Sequence, residues 1–434
     1  MIFVALVTTV MTVLHVYLWY RLVAATTLRG TRARRVLTWC VVGLWGLATA
    51  TLMGTRVDWL REVTSYGFLW IAVVFYLFVF LAVLEVPRAL AAPVARRLDR
   101  RAAVPPDAVP MEVGAETAGA RTSDAGPPSP IRAGAAPSGA ALEERPDSPR
   151  DTGVISRRLF LGRTAAAVAG AGALTTVGFG VRSALGDPVI ERVTVTLPRL
   201  DARLDGLTFA VVGDIHLGPL TGPDRSRRIV RMINELEADV VAIVGDMVDD
   251  TVARLGALAR PFASLESRYG AYFVTGNHEY YVPNGPAEWI EELRELGIRP
   301  LRNERVEIEH GGAVLDLAGV NDVNGASYDE APDYEAALAG RDAARTSVLL
   351  AHQPVQAVEA SRYAVDLQLS GHTHGGQMAP LDLIVPLQQP VLSGLGRVGD
   401  TQVYVTRGAG FWGPPVRVGS PPEITLLRLR APRE

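Results

Sequence analysis

Three apolar runs near the N-terminus restrict the folds open to this chain more than any other feature of its sequence. Each is close to the ~20 residues that an α-helix needs to cross the hydrocarbon part of a bilayer. The runs cover roughly residues 2–20, 36–53 and 67–86. Aromatic residues stand at or near their ends, where membrane-spanning helices meet the interface. The sequence therefore predicts a membrane region of three transmembrane helices within residues 1–101.

The placement of arginines predicts the orientation of these helices. The loop after the first run and the segment after the third are rich in arginine, whereas the loop between the second and third runs is not. The arginines of the two rich segments are Arg21, Arg29, Arg32, Arg34 and Arg35, and Arg88, Arg96, Arg97, Arg100 and Arg101. Because positively charged segments stay in the cytoplasm, the N-terminus is predicted to lie outside.

Two titratable residues and a cysteine stand within these apolar runs. His15 is a candidate functional group inside the membrane, with Glu85 as its partner; the alternative is a structural contact between helices. Cys40 is the chain's single cysteine, so neither an intrachain disulfide nor a thiolate metal cage is expected. We predict that Cys40 is a small buried hydrophobic residue.

The next two segments differ sharply in composition. Residues 102–155 are rich in Ala, Pro, Gly and Ser, which predicts a disordered linker. In segment 156–186, Arg157 and Arg158 precede an apolar run, and this arrangement resembles the twin-arginine export signal of bacteria. The twin-arginine export machinery would then be a partner. A fourth membrane anchor is the alternative, and both interpretations place residues 187–434 outside the cytoplasm.

Residues 187–434 show the alternation of strands and helices that is typical of an α/β domain. Predicted buried strands cover residues 207–212, 240–244, 271–274, 347–351 and 365–369. A polar cluster follows each of them, at the edge of a sheet where α/β proteins bind ligands. The net charge is only −3, so bulk electrostatics gives no indication of a nucleic-acid partner, and none is expected.

Seven side chains from these clusters form a candidate ligand set for two divalent metal ions. They are Asp214, His216, Asp246, Asn277, His352, His372 and His374. The two imidazoles of 372 and 374 stand on alternate residues directly after a strand, so both can reach one small volume. Oxygen and nitrogen ligands without sulfur favour Mn²⁺, Fe or Zn²⁺. Two such ions ~3.5–4 Å apart can convert a bridging water into a hydroxide that attacks phosphorus.

Four further polar residues are candidates for supporting roles. His278 follows Asn277 in the chain, so it is expected to face the substrate phosphate and to stabilise charge or protonate the leaving group. Arg407 is a candidate ligand of a substrate phosphate, with an ion pair that supports a loop as the alternative. Asp249 and Glu279 are expected to support metal-bound imidazoles.

The ordered motifs resemble those of the calcineurin-like metallophosphoesterase superfamily. They are Asp-x-His at 214–216, Gly-Asp at 245–246, Gly-Asn-His-Glu at 276–279, a single histidine at 352 and Gly-His-x-His at 371–374. The resemblance covers roughly residues 207–429 and implies a four-layer αββα sandwich of two sheets flanked by helices. It also implies the role of each residue. Asp214, His216 and His374 would hold one metal, Asn277, His352 and His372 the other, with Asp246 bridging and His278 catalytic.

Within the superfamily, residues 213–218, 375–377 and 421–424 are similar to the bacterial membrane-associated phosphodiesterase branch. We therefore expect a membrane-tethered, extracytoplasmic phosphodiesterase that acts on a phospholipid headgroup or a lipid-linked phosphate ester of the cell envelope. One alternative is a non-catalytic membrane sensor or scaffold whose metal domain reports a bound ligand, although the complete ligand set argues against it. Another is a tethered nucleotide or protein phosphatase.

Overall fold

The computed structural model describes residues 2–54, 61–102, 157–218 and 220–432. The predicted linker, residues 102–155, lies outside the described residues except for its first residue, which ends a helix. Among the described residues of the N-terminal part, four long helices are present: α1 (Ile2–Leu18), α2 (Arg32–Gly54), α3 (Arg61–Ala102) and α4 (Arg157–Leu185). A π-helical turn, Trp19–Ala24, continues α1. Each helix contributes one stretch long and apolar enough to cross a membrane: Ala5–Ala24, Arg32–Gly54, Tyr66–Pro87 and Leu159–Leu185.

Helices α1, α3 and α4 share one apolar cluster. Small residues on α4, including Ala169 and Ala173, are fully buried in it. A Cβ atom added at Gly172 would lie only 3.0 Å from the ring of Phe80, so α4 approaches α3 closely at this point. Small residues allow such close packing between helices in a membrane, where water does not drive apolar surfaces together.

The polar residues of the spans make contacts between helices. His15 Nδ1 lies 2.8 Å from the carbonyl oxygen of Met11, and its Nε2 lies 3.0 Å from the indole Nε1 of Trp70. Glu85 forms an ion pair with Arg21 at 2.6 Å. The structure therefore favours the structural interpretation of His15. The prediction that Cys40 is buried was wrong, because its side chain is exposed on the surface of α2.

The remaining residues form an α/β domain with twelve strands among the described residues. The strands are β1 (Val189–Thr196), β2 (Thr208–Val212), β3 (Val240–Ile243), β4 (Ala271–Phe273), β5 (Ile298–Pro300), β6 (Glu304–His310), β7 (Ala313–Gly319), β8 (Ser347–Leu350), β9 (Leu367–Ser370), β10 (Gly394–Val398), β11 (Thr401–Val405) and β12 (Glu423–Arg430). The helices are α5 (Pro223–Asn234), α6 (Val252–Ala259), α7 (Ala287–Glu295), α8 (Tyr334–Leu338) and α9 (Ala357–Ala360).

These strands form two six-stranded mixed sheets. Sheet I has the order β1-β12-β2-β3-β4-β5, and its strands β2 to β5 are parallel neighbours. Sheet II has the order β10-β11-β9-β8-β7-β6, with parallel pairing from β11 through β7. Antiparallel partners lie at both ends of sheet II, where β10 pairs with β11 and β6 with β7.

Alternation along the strands divides the core into layers. In β2, Phe209 and Val211 point into a core shared by both sheets, whereas Ala210 and Val212 face the layer of α5, α6 and α7. On the other side, β7 and β8 pack against α8 and α9. Neighbouring strand residues point to opposite faces, so one apolar strand serves two layers. The predicted four-layer αββα sandwich is confirmed.

The α/β domain packs onto one end of the helix bundle. The backbone N–H of Arg417 donates to the carbonyl of Gly180 in α4 at 2.9 Å, and Val416 is buried in the bundle's apolar cluster. At the other end of α4, Arg163 Nε donates to the carbonyl of Thr26 at 3.1 Å. The arginine-rich loop between α1 and α2 and the α/β domain therefore lie at opposite ends of the bundle.

Candidate metal centre

The candidate site lies where strands from both sheets end. Strands β2, β3 and β4 of sheet I and β8 and β9 of sheet II run toward it, and each is followed by one of the polar motifs. Because the two sheets pack face to face, the loops after their carboxyl ends meet in one place. All seven predicted ligands and His278 are brought together there.

Several ligands have an unusual backbone conformation. Their φ angles are positive: Asp214 (48°), His216 (48°), Asp246 (50°), His372 (71°) and His374 (51°). Residues other than glycine rarely adopt this left-handed region, and such strain is concentrated at functional sites. The fold thus maintains a costly backbone geometry in order to turn these side chains toward one another.

One group of ligand atoms comes from Asp214, His216 and His374. Nε2 of His374 lies 3.3 Å from a carboxylate oxygen of Asp214 and 3.1 Å from Nε2 of His216. All three side chains are buried, and their ligand atoms lie within 4.8 Å of one another. Three buried nitrogen and oxygen atoms that converge in this way suit a divalent cation.

A second group comes from Asp246, Asn277, His352 and His372. Nε2 of His352 lies 3.2 Å from Oδ2 of Asp246, 3.2 Å from Oδ1 of Asn277 and 3.2 Å from Nδ1 of His372. Oδ2 of Asp246 also lies 3.8 Å from Nε2 of His216, a member of the first group. The carboxylate of Asp246 therefore stands between the two groups.

Protonation states in the protein favour metal binding by several of these side chains. Burial, together with the positive charge of His352, lowers the pKa of His372 to about 3. Burial and the guanidinium of Arg417 hold the pKa of His374 well below its usual value. Burial would raise the pKa of Asp246, but the nearby His352 and His278 outweigh it and hold that pKa well below its usual value. Neutral imidazoles and an ionised carboxylate are the forms that bind metals, so these three side chains are ready to bind. His352 and Asp214 differ. Burial would lower the pKa of His352, but Asp246 outweighs it and holds that pKa well above its usual value. Burial raises the pKa of Asp214, so a cation has to displace protons from both side chains.

Hydrogen bonds to the other ring nitrogen orient three of the histidines. Oδ1 of Asp249 lies 2.7 Å from Nδ1 of His216 and 2.8 Å from Nδ1 of His278. Nδ1 of His352 lies 2.8 Å from the carbonyl oxygen of Val244 and donates to it. A proton fixed on Nδ1 makes Nε2 the nitrogen that can bind a metal once any proton on it is displaced. This set of ligand side chains, with the groups that orient them, fits a divalent metal centre.

Glu279 has a different role from the predicted one. Its carboxylate accepts backbone N–H groups of Asp246 (3.1 Å), Met247 (2.8 Å) and Gly276 (2.7 Å). Burial, reinforced by the charge of Asp246, raises the pKa of Glu279 to about 7. Glu279 therefore ties two ligand loops together through their backbones, whereas we expected it to support an imidazole.

His278 lies at the mouth of the site. Its backbone N–H donates to Oδ1 of Asp246 at 2.8 Å, and its ring lies 5.1 Å from that of Tyr281 and 6.3 Å from that of Trp412. Burial opposes protonation of the ring, but Asp246 and Asp249 outweigh it and raise the pKa of His278 to about 9. The imidazole is thus placed to hold a proton beside the ligand groups.

Arg407 is held by two carboxylates. Its Nη2 lies 2.6 Å from Oε1 of Glu191, and its Nε lies 2.5 Å from Oε2 of Glu423. This arrangement corresponds to the alternative interpretation, an ion pair that supports a loop.

Sequence reasoning missed Arg417, a fully buried residue. Its guanidinium lies 3.1 Å from Nδ1 of His374 and donates to the carbonyls of His374 (3.0 Å) and Gly410 (2.6 Å). Burial lowers the pKa of Arg417 to about 9. The residue stands between two valines in a Val-Arg-Val stretch, and no local pattern distinguishes it from an exposed strand arginine.

Comparison with known proteins agrees with this geometry. Residues 207–376 match the family model described as calcineurin-like phosphoesterase. The uncharacterized metallophosphoesterase YkuE of Bacillus subtilis is 31% identical over 295 residues, which cover 64% of this chain and 98% of that protein. The chain belongs to the calcineurin-like metallophosphoesterase family. By its name and those of its members, this is a family of metal-dependent phosphoesterase hydrolases.

Two animal relatives of this metallophosphoesterase are membrane proteins by name. Both are called transmembrane protein with metallophosphoesterase domain. The Bos taurus protein is 41% identical over 288 residues, which cover 64% of this chain and 64% of that protein. The Danio rerio protein is 40% identical over 261 residues, with 58% and 60% covered. The chain thus spans less than two thirds of these relatives. Together with the four apolar helices, they support a membrane location.

Proposed function

We propose that this protein is a membrane-tethered phosphodiesterase with two divalent metal ions, Mn, Fe or Zn, and that its substrate is a phosphate ester of a lipid or of the cell envelope. The observation that carries the proposal is the pair of ligand groups on either side of Asp246. One group would use Asp214, His216 and His374, and the other Asn277, His352 and His372. Paired ions supply Lewis-acid activation of a water nucleophile and neutralise charge on the phosphoryl group.

The protein's own residues would act around these ions as follows. Asp246 contributes a carboxylate to both groups, and Asp249 orients the imidazoles of His216 and His278. His278, protonated and at the mouth of the site, would donate its proton to the leaving oxygen. Protonation of the leaving oxygen lets it depart as a neutral alcohol and not as a high-energy alkoxide.

The Asp246→Asn variant tests the metal assignment. Removal of a charge shared by both ligand groups should lower metal content and reduce hydrolysis of bis(4-nitrophenyl) phosphate by at least about a thousandfold. Metal analysis by mass spectrometry and steady-state kinetics measure the two effects. An Asp246→Asn protein that keeps both the parental rate and the parental metal content would overturn the mechanism.

The His278→Ala variant separates a catalytic role from a ligand role. His278 lies close enough to His216 and Asp246 to be a ligand itself. We expect a fall in rate of about a hundredfold or more with the metal content unchanged, as for loss of a general acid. Loss of metal along with the rate would make His278 a ligand. Comparing bis(4-nitrophenyl) phosphate with phosphate monoesters and nucleotides separates the diesterase from the phosphatase alternative.

We further propose that the catalytic domain lies outside the cytoplasm, with residues 156–186 either a membrane anchor or a twin-arginine signal. Support comes from the arginine-rich loop at the opposite end of the bundle from the domain, together with the positive-inside rule. In intact cells, a Cys40→Ser protein that carries Val358→Cys should react with a membrane-impermeant maleimide. The Leu28→Cys counterpart, in the arginine-rich loop, should react only after permeabilisation. The reverse pattern would contradict the proposed orientation.

A further inference from the structure

An exposed apolar segment lies beside the metal centre. Residues 381–387 form two short 3-10 turns, Leu381–Leu383 and Val385–Leu387. Three of their side chains are largely exposed: Leu383 (74%), Ile384 (57%) and Leu387 (82%). Such a concentration of exposed apolar side chains marks a contact surface for another apolar phase or for a protein.

The position of the 381–387 segment indicates that the membrane covers it. Leu381 packs against the apolar cluster that α1, α3 and α4 share. That cluster includes Ala72 and Tyr76, which lie well inside the span Tyr66–Pro87 of α3. At 1.5 Å per residue, Ala72 is already about 9 Å from the start of the span. The 381–387 segment therefore lies directly beside the membrane-spanning bundle.

The segment also touches the loop that carries two of the metal ligands. A Cβ atom added at Gly376 would lie 2.5 Å from Cα of Asp382, so the segment packs directly against the end of the Gly-His-x-His-Gly-Gly stretch. The segment and the metal site should therefore move together relative to the bilayer.

The mouth of the metal site lies on the same side of the domain as the 381–387 segment, next to the helix bundle. Trp412, which is 54% exposed, lies between His278 and the bundle. A Cβ atom added at Gly413, the next residue, would lie 3.6 Å from the ring of Phe68 near the start of the span of α3. Tyr281, also exposed, flanks His278. Aromatic side chains with one polar end are typical of the headgroup level of a membrane.

We propose that the 381–387 segment and Trp412 insert into the membrane interface and hold the metal centre at headgroup level, where it acts on diesters carried by bilayer lipids. This inference rests on the proposed phosphodiesterase function. Insertion is apolar in character, because residues 376–396 contain neither Lys nor Arg, and their single acid, Asp382, is partly buried. It should therefore depend little on salt or on the content of anionic lipid, unlike the binding of basic surfaces.

Insertion is tested in the full chain, reconstituted into phosphatidylcholine bilayers, without reference to hydrolysis. A Cys40→Ser protein with Leu387→Cys is labelled with a nitrobenzoxadiazole probe, and lipids with a doxyl group at shallow or deep positions quench it. We expect strong quenching, greatest for the shallow label. Val358→Cys, an exposed position on α9, is the matched control and should not be quenched. Equal quenching at the two positions would overturn the insertion.

Substrate placement is tested with two diesters that share a leaving group. Methyl 4-nitrophenyl phosphate is soluble, and hexadecyl 4-nitrophenyl phosphate resides in the bilayer. The triple variant Leu383→Ser, Ile384→Ser, Leu387→Ser should lose at least about tenfold in rate on the bilayer substrate, because misplacement of the site is costly. Its rate on the soluble diester should stay within about twofold of the parent. Val358→Ser should affect neither.

The outcomes separate this inference from the function on which it rests. Equal losses on both diesters would show that the segment only supports the metal loop, and the inference would fall. A parent protein that hydrolyses the soluble diester alone would also overturn it, while the phosphodiesterase function would stand. Hydrolysis of neither diester would remove the proposed function, and quenching at Leu387→Cys would still decide the insertion.

Discussion

Among single residues, Asp249 connects the candidate metal ligand His216 to His278 at the mouth of the site. One of its oxygens lies within 2.8 Å of the Nδ1 atoms of both His216 and His278. Burial would raise the pKa of Asp249, but these two imidazoles outweigh it and hold that pKa well below its usual value. The carboxylate therefore stays ionised and favours the protonated form of His278. Asp249 is a positioning residue, because it acts on the substrate only through other side chains.

Asp249→Asn should change the pH dependence of hydrolysis. The pKa of His278 is raised to about 9, and its protonated form is the proposed proton donor. The rate should therefore fall as the pH rises through that pKa. Without the carboxylate charge the pKa of His278 falls, by about one unit or more, so the alkaline limb should move to lower pH. The pH profile of kcat/KM for a soluble diester measures the shift, since it reports groups of the free enzyme.

Two controls accompany the Asp249 experiment. Glu291→Gln removes an exposed carboxylate on α7 that pairs with Arg294, and it should leave the limb in place. His278→Ala should abolish the limb together with most of the rate. An alkaline limb that stays at the parental pH in Asp249→Asn would assign it to another group.

The residues of the site differ in how far the sequence predicted them. The seven candidate ligands and His278 follow predicted strands in short polar motifs, and the structure brings these side chains together in one place. Arg417 follows no such motif, and only the fold brings its guanidinium next to His374. Glu279 was predicted as part of the site, but its contacts are with backbone N–H groups, which sequence patterns do not encode.

Among the elements, the strands that carry the motifs were the most predictable. The runs at 207–212, 240–244 and 347–351 correspond to β2, β3 and β8 with changes of one residue at the ends. These strands are buried on both faces, so their sequences are continuous apolar runs bounded by polar residues. Because each apolar run ends where its buried strand ends, the polar motif that follows it stands at the strand's carboxyl end.

Other elements had weaker signals. Strand β6 has the pattern Glu-Arg-Val-Glu-Ile-Glu-His, in which only Val306 and Ile308 are buried. That alternation is typical of an edge strand, but two apolar residues are few to recognise. The sequence of the 381–387 segment is that of an ordinary loop with several leucines. Its role as a contact surface becomes visible only from its packing beside α3 and α4, which lie far away in the sequence.

At the scale of the whole molecule, hydropathy predicts the spans but not how the catalytic domain sits on them. Each apolar run identifies its helix without reference to the rest of the chain. The docking includes the contact of Gly180 in α4 with Val416 and Arg417, which come from the opposite end of the α/β domain's sequence. No periodicity connects such distant residues. The structure therefore adds the coupling between the membrane bundle and the metal centre.

Substitution at Gly180 tests that coupling. A Cβ atom there would lie 2.5 Å from Cγ1 of Val416 and 2.9 Å from Cγ2 of Val418, so Gly180→Val forces a shift of the domain's 416–418 segment. Overpacking of this kind costs about 1–3 kcal/mol. In bilayers, we expect a lower Tm for the full chain and slower hydrolysis of a lipid-anchored diester, measured by circular dichroism and by product release.

Gly178→Val provides the matched control for this experiment. Gly178 lies on the same helix, and a Cβ atom there would meet nothing within 4 Å. Both substitutions replace glycine with the same β-branched residue in α4, so their intrinsic effects on the helix are equal and only the contact with the domain differs. Since the Arg417 N–H bonds to the carbonyl of Gly180, a displaced domain also disturbs the residue that lies against His374. Equal Tm values and rates for the two variants would show that the domain is tethered without being positioned by the bundle.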